Sequence, residues 1–145
     1  ADLDPSKLFP GREQLRCRGT DDGVRILDFT RFQQGTFGTV QLADLGADVW
    51  KIEQPGGDPG RTLGRHLSGY SSYFESLNRN KRSISLALRK PEGIQVVRRL
   101  VSRVDVVVEN FRPGAMEKLG IEEGEVLEQV LQAMRERREE LWPQD

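Results

Sequence analysis

Hydrophobic positions in the first third of the chain alternate between short runs typical of strands and longer stretches with helical spacing. The β-branched and aliphatic residues of 24–29 predict a first strand. Residues 33–36 predict a turn, which opens into a helix over 37–45 that ends at Gly46. A second strand is predicted over 48–53. This strand, helix, strand order is typical of a parallel crossover.

The middle of the chain is irregular at first and then regains a pattern. Residues 55–70 are rich in proline and glycine and predict a long surface loop, the kind of segment that often carries function. A short helix is predicted over 71–77, followed by a turn over 78–81. Polar and apolar residues alternate over 83–88, which indicates a half-buried strand.

The clearest helix begins at Pro91, which favours the first helical position. Its apolar stripe consists of Ile94, Val97, Leu100, Val101 and Val104. A buried type of strand over 105–109 and a short helix ending at Leu119 follow. Strands that alternate with helices predict an α/β fold: a Rossmann-like, mainly parallel sheet with flanking helices.

The two ends of the chain differ from this pattern. Residues 1–22 show no period of 2 or 3.6 and are interpreted as an N-terminal extension. Residues 125–141 predict one long C-terminal amphipathic helix. The predicted organisation is therefore an extension over 1–22, a Rossmann-like portion over 23–120 and a C-terminal helical segment over 121–145.

Composition narrows the function classes. The formal net charge of the 145 residues is -1, which disfavours nucleic acid as a partner. The chain has no apolar run long enough for a membrane span, a single cysteine, Cys17, and no cysteine or histidine cluster with metal-ligand spacing. These features predict a soluble, cytoplasmic protein that binds neither metal, membrane nor nucleic acid.

Familiar catalytic and nucleotide-binding motifs are missing from the sequence. The first strand-to-helix turn, residues 33–38, reads QQGTFG and does not fit the dinucleotide fingerprint G-x-G-x-x-G, and no P-loop motif occurs. No serine sits in a nucleophile elbow, so His66 is interpreted as a solvated loop histidine. Classical NAD binding, P-loop chemistry and Ser-His-Asp catalysis are disfavoured.

Four short blocks in order carry a more specific signal. They are GVRILDFTR at 23–31, LADLGADVWKIE at 42–53, LNRNKRS at 77–83 and DVVVENFRPG at 105–114. Together they closely resemble the N-terminal, Rossmann-like portion of the family III CoA-transferases, also called the CaiB/BaiF family. The resemblance runs over 23–120.

This resemblance implies a reaction and a substrate. Members of the family move coenzyme A between carboxylic acids through an aspartate that takes up the acyl group as a mixed anhydride while CoA leaves as a thiolate. Related members are racemases, hydratases or lyases that act on CoA esters. The implied ligand is CoA or acyl-CoA without a metal, and the implied assembly is a homo-oligomer, a dimer of interlocked rings, or a complex with a partner chain that supplies the remaining half.

The resemblance also implies a set of CoA-binding residues. The first strand-to-helix turn lies near the thioester in the family, and basic residues of the later blocks lie along the nucleotide and pantetheine path. The candidate residues are Phe32, Gln33, Gln34, Lys81, Arg82, Asn110, Phe111 and Lys118. Arg112 is a further cation in the same blocks, and each basic residue could equally be an ordinary surface cation.

Departures from the family pattern leave a second hypothesis open. The family's nucleophilic aspartate lies downstream of NFRPG, in a region this chain does not contain, so no catalytic residue is assigned. Asp28 and Asp44 are interpreted as structural, and Gln54 stands where some members have a CoA-binding arginine. The first hypothesis is a truncated, partial or split CoA-transferase that retains part of the CoA site. The alternative is a non-catalytic binding or assembly module.

The alternative rests on the terminal helix, which would pack its apolar side against another chain. That side comprises Leu127, Val130, Met134 and Leu141.

Overall fold

The computed structural model describes residues 23–137, so the expectations for 1–22, Cys17 and Leu141 lie outside the described residues. The strands are β1 (Arg25–Asp28), β2 (Asp48–Glu53), β3 (His66–Leu67), β4 (Tyr70–Ser71), β5 (Arg82–Ser85) and β6 (Val106–Val108). The helices are α1 (Gln34–Asp44), α2 (Ser72–Asn78), α3 (Pro91–Val101), α4 (Ala115–Lys118) and α5 (Glu123–Glu136). Within this range no helix is both long and apolar enough to cross a bilayer.

One four-stranded parallel sheet organises the chain, in the order β5-β2-β1-β6. β1 lies between β2 and β6, with Leu27 opposite both Trp50 and Val107. This confirms the predicted α/β class with a parallel sheet and flanking helices.

The sheet buries its two faces under different helices. Leu27 and Trp50 share a large apolar cluster with α3 and α5, which makes Trp50 a core residue. On the opposite face, Ile26 and Val49 pack against Ala43 of α1, and α2 packs beside α1. Odd and even positions of each strand therefore serve different helix layers, as the two-residue repeat of a strand requires.

Helix α3 follows the predicted stripe but ends at Val101, and Val104 is buried beyond its end. Its first turn sits directly on the chain before it: a Cβ atom added at Gly93 would lie 2.3 Å from the carbonyl oxygen of Ala87. Strand β5 ends at Ser85, earlier than the strand predicted over 83–88, because the backbone turns after it: the Leu88 N–H donates to the Leu86 carbonyl oxygen and the Lys90 N–H to the Ala87 carbonyl oxygen.

Helix α1 begins earlier than predicted. Residues 34–36, interpreted as part of a turn, form its first turn instead. The cause is local: Thr36 Oγ1 donates to the carbonyl oxygens of Phe32 and Gln33 and thereby tightens the helix entry. The C-terminal helix was predicted over 125–141, and α5 instead spans Glu123–Glu136. The other strands and helices begin and end close to the predicted positions.

The segment predicted as a long loop contains some regular structure. A 3₁₀ turn spans Pro59–Thr62, and β3 and β4 form a small antiparallel hairpin. The Asp58 side chain starts the turn by accepting a hydrogen bond from the N–H of Gly60, at 2.7 Å.

Helix α5 packs against its own domain, contrary to the expectation that its apolar side faces another chain. Val130 is buried and Met134 contributes to the same cluster as Trp50. Among the described residues of α5, the large apolar side chains that remain exposed are Leu127, at 56%, and Leu131. Two of the four residues assigned to the partner-facing side, Val130 and Met134, therefore pack within the chain, whereas Leu127 is exposed and Leu141 lies outside the described residues.

Candidate functional site

The strand order reverses between β1 and β6. From β1 the chain moves outward through β2 to β5, and then crosses back to β6 on the other side of β1. In open parallel sheets such a reversal leaves a crevice beyond the carboxyl ends of the two strands, because the connecting loops diverge there. Residues 29–34 follow β1 and residues 109–114 follow β6 at this point. We refer to it as the switch-point crevice.

Asn110 links the two loops of the crevice through two hydrogen bonds. Its Oδ1 accepts from the backbone N–H of Arg31 at 2.9 Å, and its Nδ2 donates to the carbonyl oxygen of Arg31 at 3.0 Å. The Arg31 guanidinium carbon lies 4.9 Å from the centre of the Phe111 ring, a cation–π distance. The structure thus brings the candidates Asn110 and Phe111 into contact with the turn that carries Phe32, Gln33 and Gln34.

That turn presents an open helix terminus. Gln33 occupies the N-cap position without a side-chain cap, and the first turn of α1 has no acidic residue. The N–H groups at a helix start carry partial positive charge and favour anions. Phe32 has φ 61° and is 52% exposed, so its ring lies on the surface beside these groups. The arrangement can offer hydrogen bonds to an oxyanion and a flat apolar face to a ligand.

Close packing holds the helix start against the end of β1. A Cβ atom added at Gly35 would lie 2.4 Å from Cγ2 of Thr30 and 3.4 Å from Cβ of Asn110. Only glycine allows the helix to approach both loops this closely.

Asp28 forms a fully buried hydrogen-bond centre below the crevice. Its Oδ1 accepts from the backbone N–H and the hydroxyl of Thr30, at 2.8 and 2.5 Å. Its Oδ2 accepts from the Thr39 hydroxyl at 2.7 Å and from Lys81 Nζ at 3.1 Å. These contacts agree with the structural interpretation of Asp28. The carboxylate of Asp44 is likewise engaged, by Arg79 and Asn80.

Lys81 lies in the interior, so the alternative interpretation as an ordinary surface cation is wrong for this residue. The side chain is 1% exposed. Besides Asp28, its Nζ lies within hydrogen-bond distance of the Thr36 carbonyl oxygen, Thr39 Oγ1 and Asn78 Oδ1. Burial lowers the pKa of Lys81 to about 8, and the neighbouring Asp28 carboxylate opposes part of that shift.

Arg82 and Lys118 do not join the crevice. Arg82 begins β5, at the amino edge of the sheet, and its Nε lies 3.2 Å from Oδ1 of Asp48. Lys118 lines a separate groove of about 490 Å³ beside the start of α3, together with Arg89 and Arg98. The structure therefore assembles five of the eight candidates in one place.

A second buried charged group was not foreseen from the sequence. Lys51 Nζ lies 3.0 Å from Oδ2 of Asp58 and donates to the Thr30 carbonyl oxygen at 2.7 Å. Glu53 accepts two hydrogen bonds from Arg61, both 2.7 Å long. The available signal was the alternation of Lys51 and Glu53 with the apolar residues Trp50 and Ile52, which places the two charged residues on one side of β2.

The Glu53 carboxylate is strongly stabilised in its charged form. Burial raises its pKa, but hydrogen bonds from Arg61, Ser83 and the Asp58 N–H outweigh burial and lower the pKa to about 2. The loop over 54–62 is thereby tied to the carboxyl end of β2.

A cavity of about 480 Å³ with a mixed polar and apolar lining lies along β6. Its apolar lining residues include Val107, Met116, Ile121 and Val126, and its charged lining residues include Glu109 and Arg112. Glu109 precedes Asn110, so the cavity and the crevice share one loop. Within the described residues, no cluster of three or more potential ligands could hold a metal ion.

Comparison with known proteins identifies relatives of this chain. The chain is 44% identical over 118 residues to the mouse succinyl-CoA:glutarate CoA-transferase, covering 79% of this chain and 27% of that protein. It is 50% identical over 102 residues to the succinyl-CoA–D-citramalate CoA-transferase of Chloroflexus aurantiacus, covering 69% of this chain and 25% of that protein. The chain thus spans about a quarter of the length of these curated relatives.

Solved structures and a family model agree with these relatives. The crystal structure of a CaiB/BaiF family protein from Brucella suis matches 78% of this chain and 31% of its own, with 38% identity and a TM-score of 0.72. The model of the family described as CoA-transferase family III matches residues 22–130. With its parallel sheet and its ordered sequence blocks, the chain belongs to the CoA-transferase family III.

Proposed function

We propose that this chain provides part of the CoA site of a family III CoA-transferase, with the switch-point crevice holding the CoA portion of an acyl-CoA. The observation that carries the proposal is the pairing of Asn110 with the Arg31 backbone, which joins two separate family-like sequence blocks around an open helix terminus. The similarity to CoA-transferases supports the choice of ligand.

The chemistry of the crevice suits a long, amphipathic, anionic ligand. The free N–H groups at the start of α1 and the guanidinium of Arg112 can neutralise negative oxygens. Exposed Phe32 offers an aromatic face, and the cavity along β6 offers apolar lining residues. A CoA thioester combines phosphates, a flat base and an extended pantetheine arm in this way.

In the proposed role the described residues bind and orient CoA. Transfer requires a carboxylate that attacks the acyl carbon and displaces the CoA thiolate. We assign that nucleophile to none of the described residues, since the candidate carboxylates Asp28 and Asp44 are both engaged in hydrogen bonds within the fold.

Calorimetric titration of the 145-residue chain with CoA tests the proposal. Asn110→Ala removes both bonds between the loops, and we expect CoA binding to weaken roughly five- to a hundredfold. Asn80→Ala is the matched control, because the Asn80 side chain bonds Asp44, which lies at the opposite end of α1 from the crevice. Wild-type binding should weaken with added salt. Absence of binding by the wild type, or equal affinity in both variants, would refute the proposal.

We also propose that the chain self-associates, as the resemblance to the family implies. The apolar residues Leu63, Leu67 and Tyr70 are exposed around the β3–β4 hairpin and support this proposal. Sedimentation at micromolar concentration should show a species heavier than a monomer, whereas a monomer at all concentrations would contradict self-association.

A further inference from the structure

The first turn of α1 is held from the protein interior by a lysine that arrives from a distant part of the sequence. Lys81 follows α2 and precedes β5, yet its Nζ lies 3.0 Å from the carbonyl oxygen of Thr36, in the first turn of α1. It lies 2.7 Å from Oγ1 of Thr39, one turn further on. Two successive turns of the helix are thus fixed by one ammonium group.

The same ammonium group is coupled to the end of β1. Thr39 accepts from Lys81 and donates to Asp28, which Lys81 also contacts directly at 3.1 Å. Asp28 in turn holds the backbone and the hydroxyl of Thr30. Thr30 is the residue against which Gly35 packs. The chain of contacts therefore runs from Lys81 through Asp28 and Thr30 to the open helix terminus.

From this geometry we infer that Lys81 is a positioning residue of the CoA site. It holds the β1–α1 turn in place from the protein interior and does not contact the ligand. The inference rests on the proposed function of the crevice. A phosphate that reached Lys81 would have to displace buried partners from a side chain that is 1% exposed. Lys81 thus acts on the ligand only through the helix terminus that it positions.

A set of substitutions separates this role from direct contact with a phosphate. Lys81→Met, Lys81→Arg, Asp28→Asn and the double variant Lys81→Met/Asp28→Asn are compared in the full chain. Lys90→Met is the matched control, since Lys90 is an exposed lysine before α3. Two quantities are measured: CoA affinity at low and high salt, and amide hydrogen exchange without ligand at residues 34–40 and in α3.

For a positioning residue, Lys81→Met and Asp28→Asn should each weaken CoA binding by roughly five- to fiftyfold and leave its salt dependence unchanged. The double variant should bind CoA no more weakly than the single variant with the lower CoA affinity, because both substitutions break the same hydrogen-bond network. Lys81→Arg should fail to restore affinity, since a planar guanidinium does not fit a buried site shaped around an ammonium. Amide exchange should accelerate at residues 34–40 and stay unchanged in α3.

Several outcomes would overturn the inference. If Lys81→Arg restores affinity while Lys81→Met lowers both the affinity and its salt dependence, Lys81 contacts a phosphate. If exchange accelerates equally in α3, the role is general stability, and if nothing changes, Lys81 has no role at the turn. Should Lys81→Met fail to fold, the double variant, which leaves no unpaired charge, carries the same measurements.

The exchange data also keep the two proposals distinguishable. If the wild type binds no CoA, the proposed function fails, and the exchange comparison between Lys81→Met and Lys90→Met alone decides whether Lys81 positions the turn.

Discussion

The face of the sheet under α3 and α5 is filled with aliphatic and aromatic side chains, whereas the face under α1 and α2 becomes charged toward the carboxyl edge. Trp50 and Ile52 of β2 point into the apolar cluster. Lys51 and Glu53 of the same strand point to the other side and pair with Asp58 and Arg61. One strand thus contributes to an apolar layer on one face of the sheet and to a layer of ion pairs on the other.

The two faces differ in how strictly their contacts fix the positions of side chains and loops. Apolar contacts stabilise a fold without demanding defined angles, while a buried ion pair is costly to desolvate and holds its partners in one arrangement. The charged layer lies below the switch-point crevice and below the loop after β2. Its placement suggests a role in shaping the loops rather than in adding stability.

We expect the largest loss of stability from a substitution that removes one partner of a buried ion pair in the charged layer. Lys51→Met should lower the free energy of unfolding by about 3–5 kcal/mol, because it leaves the Asp58 carboxylate buried without its cation. Denaturant unfolding measures the loss.

Two controls sharpen that result. Lys51→Met/Asp58→Asn should recover a large part of the loss, since no unpaired charge remains. Leu100→Ala in the apolar layer should cost about 2–5 kcal/mol, and its effect should add to that of Lys51→Met because the two residues share no partner. A loss below about 1 kcal/mol for Lys51→Met would mean that the two faces do not differ in the way described.

Acid should destabilise the charged layer by protonating Glu53. Because the pKa of Glu53 is lowered from 4.5 to about 2, its contribution is complete above pH 4.5 and is lost as the pH falls toward 2. The loss amounts to at most about 3 kcal/mol, reduced by the partial exposure of Arg61. The stability difference between wild type and Glu53→Gln should therefore shrink over this pH range, and a constant difference would contradict the prediction.

The smallest effects concern two glycines of α1 that differ in their surroundings. Gly35→Ala should lower stability by about 1–3 kcal/mol, because the new methyl group meets Thr30. Gly38→Ala, with nothing within 4 Å of the added atom, should raise stability by about 0.5–1 kcal/mol. Thermal unfolding of both variants checks the signs, and equal effects would show that the helix start is not tightly packed.

The sequence identified many candidate residues of the site, but it did not show where in the fold their side chains lie. Asn110 and Phe111 were identified through a family-like block, and the structure explains their proximity to Phe32 by the reversal of strand order. Arg82 and Lys118 came from the same kind of resemblance and lie elsewhere. A block of sequence shows which residues recur together, and it does not show which edge of a sheet each side chain faces.

The sequence by itself determined the alternation of strands and helices and the apolar stripe of α3, because both follow from local periodicity and burial preference. Only the tertiary structure decided that Lys81 turns inward and meets Asp28, 53 positions away. The reason is physical: a lysine beside a turn has the same local pattern whether its ammonium is solvated or buried. Its environment depends on how distant elements pack.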